Sequence, residues 1–173
     1  MKLAPPVSPK EVLVQVANAL PQDCRQDVII IGSLAAGYHF FADDGSKGIR
    51  TKDIDCMFSP HAKAVAVAAK VTERLLQAKW TQRQGTEWSA PGGPNEAPDK
   101  LPMVRLQPPT GSEWFIELLG APDAYQSGAP MKQYHAVKTN VGYFAICSFG
   151  FLALAEWEPL PTPLEVRIAR PEM

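Results

Sequence analysis

Asp53 and Asp55 lie two apart in a short strand-forming run, Lys52 to Phe58. Side chains alternate along a strand, so both carboxylates face one way while Ile54, Cys56 and Phe58 face the other. Two carboxylates side by side repel each other unless a cation lies between them. Phosphoryl and nucleotidyl transfer give such a pair a use, because negative charge must be neutralised on the attacking oxygen, the leaving oxygen and the phosphate between them. Two divalent ions about 3.5–4 Å apart do this when several carboxylates converge on them from rigid neighbouring elements. The third carboxylate is expected on an adjacent strand, flanked by apolar residues that fix it. Glu117, inside Trp114-Phe115-Ile116-Glu117-Leu118-Leu119, fits that place, with Glu113 in reserve. An unpaired charge there would be costly.

The elements that must position these groups begin with Val28 to Ile31, an apolar run that reads as the end of a buried strand starting at Asp27. Gly32 and Ser33 end it, and a short helix is expected from Leu34 to Phe41. A Gly-Ser turn feeding a helix amino terminus presents free N–H groups to an anion. Turn and acidic strand together suggest a site for a metal-bound polyphosphate. Upstream, Ser8-Pro9-Lys10-Glu11 has the form of a capping box for a helix from Pro9 to about Leu20. Downstream, Ser59-Pro60 reads as a second cap-plus-proline start. The helix from His61 to Lys79 should bury Ala64, Val67, Ala68, Val71, Leu75 and Ala78, a narrow face suited to close packing on a sheet.

Trp80 to Gln84 is expected as a strand and Glu87 to Lys100 as a loop, in which Trp88 could stack on a base or cover an edge; the other tryptophans are expected in the core. Leu101 to Gln107 and Glu113 to Leu119 read as a hairpin around Pro108-Pro109-Thr110-Gly111-Ser112, with Trp114, Ile116 and Leu118 on one face. Ala136 to Ala145 reads as one strand and Leu164 to Ala169 as the last. Periodicity does not decide between helix and strand for Phe149 to Ala155. Strand and helix alternate only at first. The expected class is therefore α+β, a mixed sheet flanked by helices, in one domain over residues 1–173.

The 173 residues are 46% apolar and 20% charged, ordinary for a globular chain, and the formal net charge of -1 gives no overall basic field for nucleic acid. Any RNA contact must use a local patch. No run reads as a membrane span, MKLAPPVSPK has no apolar signal-peptide core, and three unpaired cysteines suit a cytoplasmic protein. Gly32 to Gly37 has the glycine spacing of a P-loop, but Tyr38-His39 stands where Lys-Ser/Thr is required.

An apolar strand, Gly-Ser, a short helix, then Arg50-Thr51-Lys52-Asp53-Ile54-Asp55 and a later strand carboxylate resembles the nucleotidyltransferase superfamily, the polymerase-beta-like fold. The Arg-Thr-x-Asp-Ile-Asp form is most similar to the bacterial AbiEii-type branch of toxins and nucleotidyltransferases. The resemblance implies that Gly32 and Ser33 hold a nucleoside triphosphate and that Asp53 and Asp55 bind Mg2+ or Mn2+. Glu117 would complete the metal site or serve as base toward the acceptor hydroxyl, and Arg50 or Lys52 would reach phosphate. The implied reaction moves a nucleoside monophosphate to a hydroxyl on RNA (tRNA included), protein or a small molecule. The implied setting is a toxin–antitoxin or phage-defence system, with an antitoxin as partner and no membrane. Relatives in this branch carry a helical carboxy-terminal part, which is expected to be absent because the chain ends after Ile168-Ala169-Arg170-Pro171-Glu172. Two other readings stand beside the enzyme: a nucleotidyltransferase fold that binds without turnover, and a plain α+β interaction protein with an incidental acidic pair.

Overall fold

The structure is a computed structural model that describes residues 5–83, 90–123 and 131–172. It contains three α-helices, α1 (Pro9–Ala19), α2 (Gly32–Phe41) and α3 (His61–Gln77), among the described residues. Nine strands among the described residues make one mixed sheet: β1 (Val28–Ile31), β2 (Asp53–Phe58), β3 (Thr81–Gln82), β4 (Arg105–Gln107), β5 (Phe115–Gly120), β6 (Lys132–Thr139), β7 (Gly142–Phe149), β8 (Leu160–Pro161) and β9 (Arg167–Ile168). The order is β3-β4-β5-β2-β1-β9-β8. β1 runs antiparallel to β2 and parallel to β9, while β2 and β5 are parallel over six residue pairs. The far edge of β5 is shared: β4 pairs with its first half and β7 meets it at Leu119. The expected mixed sheet flanked by helices is therefore present. No helix among the described residues is long and apolar enough to cross a membrane.

The two faces of the sheet differ. Ile54, Cys56 and Phe58 of β2 and Ile116 and Leu118 of β5 join Val28 and Ile30 under α1 and α3 in the main core. Alternation places Met57, Leu119 and Ile29 on the opposite face, in a smaller cluster with Cys147, Leu152, Ala155 and Ala169. Ala64 of α3 comes close to the Gly120 backbone, where an added Cβ would lie 3.4 Å from its methyl. The small face of α3 thus lets the helix sit tightly on the sheet. Its buried residues are Ala64, Ala68, Val71, Thr72 and Leu75; Val67 is partly buried and Ala78 is exposed, one turn beyond the contact. Trp80 and Trp114 pack edge to face with centroids 5.9 Å apart at the end of this core.

Ser8 caps α1 as expected, accepting from the Glu11 amide at 3.3 Å. Ser59 does not cap α3. Pro60 holds that position without a side-chain cap, and the Ser59 hydroxyl donates to Glu156 instead. The expected strand Ala136 to Ala145 is a hairpin, β6 and β7, turning at Asn140-Val141. Gly142 explains the break: its φ is +134°, and a Cβ there would stand 2.7 Å from Pro91 Cβ and 3.1 Å from the Gly92 carbonyl. Only glycine fits under the loop that bridges Gly92 to Tyr143. Phe149 to Ala155 resolves into the end of β7 followed by a 3-10 turn, Gly150–Glu156. β8 is a short strand that the sequence pattern missed, and the expected final strand is only Arg167–Ile168. Trp157 is 63% exposed rather than in the core, whereas Trp88 lies outside the described residues.

Gly37 fixes how α2 meets the chain that leads into β2. A Cβ there would lie 2.4 Å from Ile49 Cγ2 and 3.2 Å from Pro9 Cγ. Gly37→Ala should therefore push α2 away from Ile49 and α1, with a loss of about 1–3 kcal/mol typical of overpacking. Thermal melts should show a midpoint roughly 2–10 °C lower; an unchanged midpoint would mean that this contact is slack.

Candidate active site

β2 brings Asp53, Asp55 and Met57 to the face opposite α1 and α3, and β5 brings Phe115, Glu117 and Leu119 to the same face. Their register puts Asp53 across from Phe115 and Asp55 directly across from Glu117. On the other edge of β2, Asp55 pairs with Ile31, the last residue before the turn. Gly32 then starts α2 with φ +70°, and a Cβ added to it would lie 3.0 Å from Asp55 Oδ2. The glycine is required twice: the backbone is left-handed, and the carboxylate fills the space a side chain would take. Ile31 at the N-cap supplies no side-chain hydrogen bond to the first turn of α2. Gly32 and Ser33 are exposed, so the bend is open to a ligand.

Asp55 and Glu117 border a cavity of about 620 Å³ with Gly32, Ser33, Ala35 and Ala36 on one side. Its other wall is apolar and aromatic, made of Leu119, Phe149, Phe151, Leu152 and Leu154, with Arg170 at the rim. Phe149 and Phe151 pack against each other at 4.4 Å between centroids, and Phe151 and Leu154 are largely exposed. Asp53 is exposed on β2 outside this cavity; Thr51 Oγ1 donates to its carbonyl at 2.8 Å and to its Oδ1 at 3.4 Å.

Arg105 of β4, across from Glu117 on the edge of β5 away from β2, completes the row. Its Nε lies 3.1 Å from Glu117 Oε2 and its Nη2 3.3 Å from Oε1, a two-pronged ion pair that is mostly sheltered. Asp55 has no such partner among the described residues. Burial pushes its carboxyl up to about 7, the charges of Asp53 and Glu117 push the same way, and Arg105 opposes them. At neutral pH the site thus holds more negative charge than the protein compensates.

Asp55, Glu117, Gly32 and Ser33 are brought together, and Asp53 stands one strand step away on the same face. Arg50 and Lys52 are exposed and neither lines the cavity. Glu113 is exposed just ahead of β5, and His39, also exposed, packs edge to face on Phe40. Arg105 is the residue that sequence reasoning passed over. A signal for it exists: in a hairpin centred on Gly111, positions equidistant from the turn pair, and 105 and 117 are equidistant from 111. The aromatic wall has no comparable signal, because Phe151, Leu152 and Leu154 come from a turn, and Phe149 from the end of β7, whose positions depend on the sheet.

The carboxylate oxygens suit a hard cation such as Mg2+ in kind. As they stand, no three or more His, Cys, Asp or Glu side chains among the described residues are grouped to hold a metal ion. Asp53 and Asp55 share a face of β2, with only Asp55 on the cavity, while Glu117 is turned to Arg105. Comparison with protein-family models, with curated proteins and with solved structures finds no match.

The raised Asp55 carboxyl has a consequence for stability. Between about pH 4 and 7 the folded protein keeps a proton that the unfolded chain has released, so this group lowers stability as pH rises through that window. Asp55→Asn should match the wild type near pH 4 and exceed it by about 2 kcal/mol at pH 8, a value discounted for partial exposure. Melts without divalent ions should show the variant roughly 4–8 °C higher at pH 8. Equal midpoints at both pH values would show that Asp55 is not strained.

Proposed function

We propose that this chain is a magnesium-dependent nucleotidyltransferase with a polymerase-beta-like core, moving a nucleoside monophosphate from a nucleoside triphosphate to a hydroxyl. The observation that carries this is the register: Asp55 pairs with Glu117 on one side and with the residue before the Gly32 turn on the other. Two acidic side chains and the open start of a helix therefore border one cavity large enough for a nucleotide.

Gly32 and Ser33 bind the triphosphate through the backbone N–H groups at the start of α2. Leu119, Phe149, Phe151 and Leu152 form the apolar wall against which base and sugar lie. Asp53 and Asp55 would hold Mg2+, which supplies charge neutralisation at the α-phosphate and at the departing oxygen. Glu117, restrained by Arg105, faces the incoming hydroxyl. That hydroxyl oxygen bonds to the α-phosphorus, the bond to the β-phosphate oxygen breaks, and pyrophosphate leaves. The hydroxyl proton passes to a carboxylate of the site. Positioning and electrostatics account for the catalysis. The role as a toxin of a toxin–antitoxin or phage-defence system, with an antitoxin partner, follows from the resemblance of the Gly-Ser and Arg-Thr-x-Asp-Ile-Asp motifs alone.

The Arg105–Glu117 ion pair favours a second reading, a fold of this kind that binds a nucleotide without turnover, because a protein cation already satisfies the third carboxylate. Incubation with α-labelled triphosphates, Mg2+ and RNA or protein acceptors separates the two. The enzyme should transfer label, and Asp55→Ala should reduce transfer by at least about a hundredfold, the scale of losing a main electrostatic contributor. Magnesium-dependent nucleotide binding with no label on any acceptor would leave the binding module.

A further inference from the structure

A second cavity, of about 200 Å³, lies on the other side of Glu117 and shares Glu117, Leu119 and Phe149 with the first. Three cationic side chains from separate segments line it: Arg83 just after β3, Arg105 on β4 and Lys132 at the start of β6. Two acids face them. Glu117 is taken by Arg105, and Asp99 lies 3.9 Å from Lys100. Arg83 and Lys132 form no ion pair with a carboxylate among the described residues. Each is instead laid over an aromatic ring, Arg83 at 4.2 Å from the Phe115 centroid and Lys132 at 5.1 Å from that of Tyr134. Such stacking steadies a cation without neutralising it. The cavity therefore presents spare positive charge beside aromatic surface, on a protein whose overall charge is -1.

We infer that this cavity is a phosphate subsite for the acceptor, and that the acceptor carries a phosphodiester next to the hydroxyl it presents. The inference rests on the nucleotidyltransferase reading for the word acceptor, and on the cavity itself for the phosphate. Its volume suits a phosphate with its sugar rather than a whole nucleotide, below the range of about 300–1,000 Å³ typical of small-molecule pockets. Arginine forks and a lysine point charge are the groups that recognise phosphate oxygens. Tyr134 and Phe149 beside them add the stacking surface that single strands use. A phosphate held there hangs its neighbouring hydroxyl toward Glu117, across from the triphosphate turn at Gly32.

Phosphate could also come from the departing pyrophosphate, so the test has separate arms. The full chain, free of triphosphate, is titrated with the dinucleotide UpU, with uridine and with inorganic pyrophosphate, following backbone amide NMR shifts. UpU should bind about tenfold more tightly than uridine, the preference should weaken with added salt, and the shifts should centre on Lys132, Tyr134 and Cys147. Lys132→Gln, an exposed change that leaves the fold intact by circular dichroism, should abolish the preference, and Lys132→Arg should keep it. Equal binding of UpU and uridine, an unaffected Lys132→Gln variant, or shifts with pyrophosphate alone would each overturn the assignment. Because no transfer is measured, these outcomes are independent of label transfer. Discrimination without transfer would refute the enzyme and keep the phosphate site, while transfer without discrimination would refute the subsite.

Discussion

Two carboxylates directly across from each other in a sheet repel, and the parallel register of β2 on β5 imposes that repulsion on Asp55 and Glu117. Arg105, across from Glu117 on the edge of β5 away from β2, relieves one of the two. Asp55 is left with the remainder, next to a turn whose glycine has no room for a side chain. The row Ile31, Asp55, Glu117, Arg105 runs across four neighbouring strands, and the cavity, the exposed bend and the ion pair are all arranged along it.

The register is held from the opposite face. Ile54, Cys56, Ile116 and Leu118 are fully buried under α1 and α3, so sliding β2 by one residue would bring Asp53 and Asp55 into that core. An ionised carboxylate there would be far more costly than the repulsion it escapes. Hydrophobic burial on one side thus maintains electrostatic strain on the other. The arrangement also explains why a cavity exists. Among the described residues α1 and α3 pack on the core face, whereas the acidic face is bordered by the start of α2 and the turn Gly150–Glu156, with Phe151 and Leu154 largely exposed.

Local pattern carried much of this. The capping box at Ser8, the apolar run Val28–Ile31 and the alternation through Asp53–Phe58 and Trp114–Leu119 all concern neighbours in sequence, and the structure follows them. Reading failed where a distant partner decides. Ser59 has the type of a helix cap, but Glu156 recruits its hydroxyl. Ala136 to Ala145 has the composition of one strand, but Gly142 turns it under Pro91 and Gly92. The last strands are short because β8 and β9 need only two residue pairs to close the edge beside β1.

By itself the sequence determined that Asp53 and Asp55 share a face, that Glu117 faces away from Trp114, Ile116 and Leu118, and that a Gly-Ser bend follows an apolar strand. These are consequences of a two-residue period and of backbone freedom, which the chain carries locally. Tertiary structure alone decided that β5 lies parallel to β2 with Glu117 level with Asp55, that Arg105 takes one carboxylate, and that Arg83 and Lys132 gather beyond it. Strand neighbours and their register come from burying the whole apolar face at once, a sum over many residues that no single stretch contains.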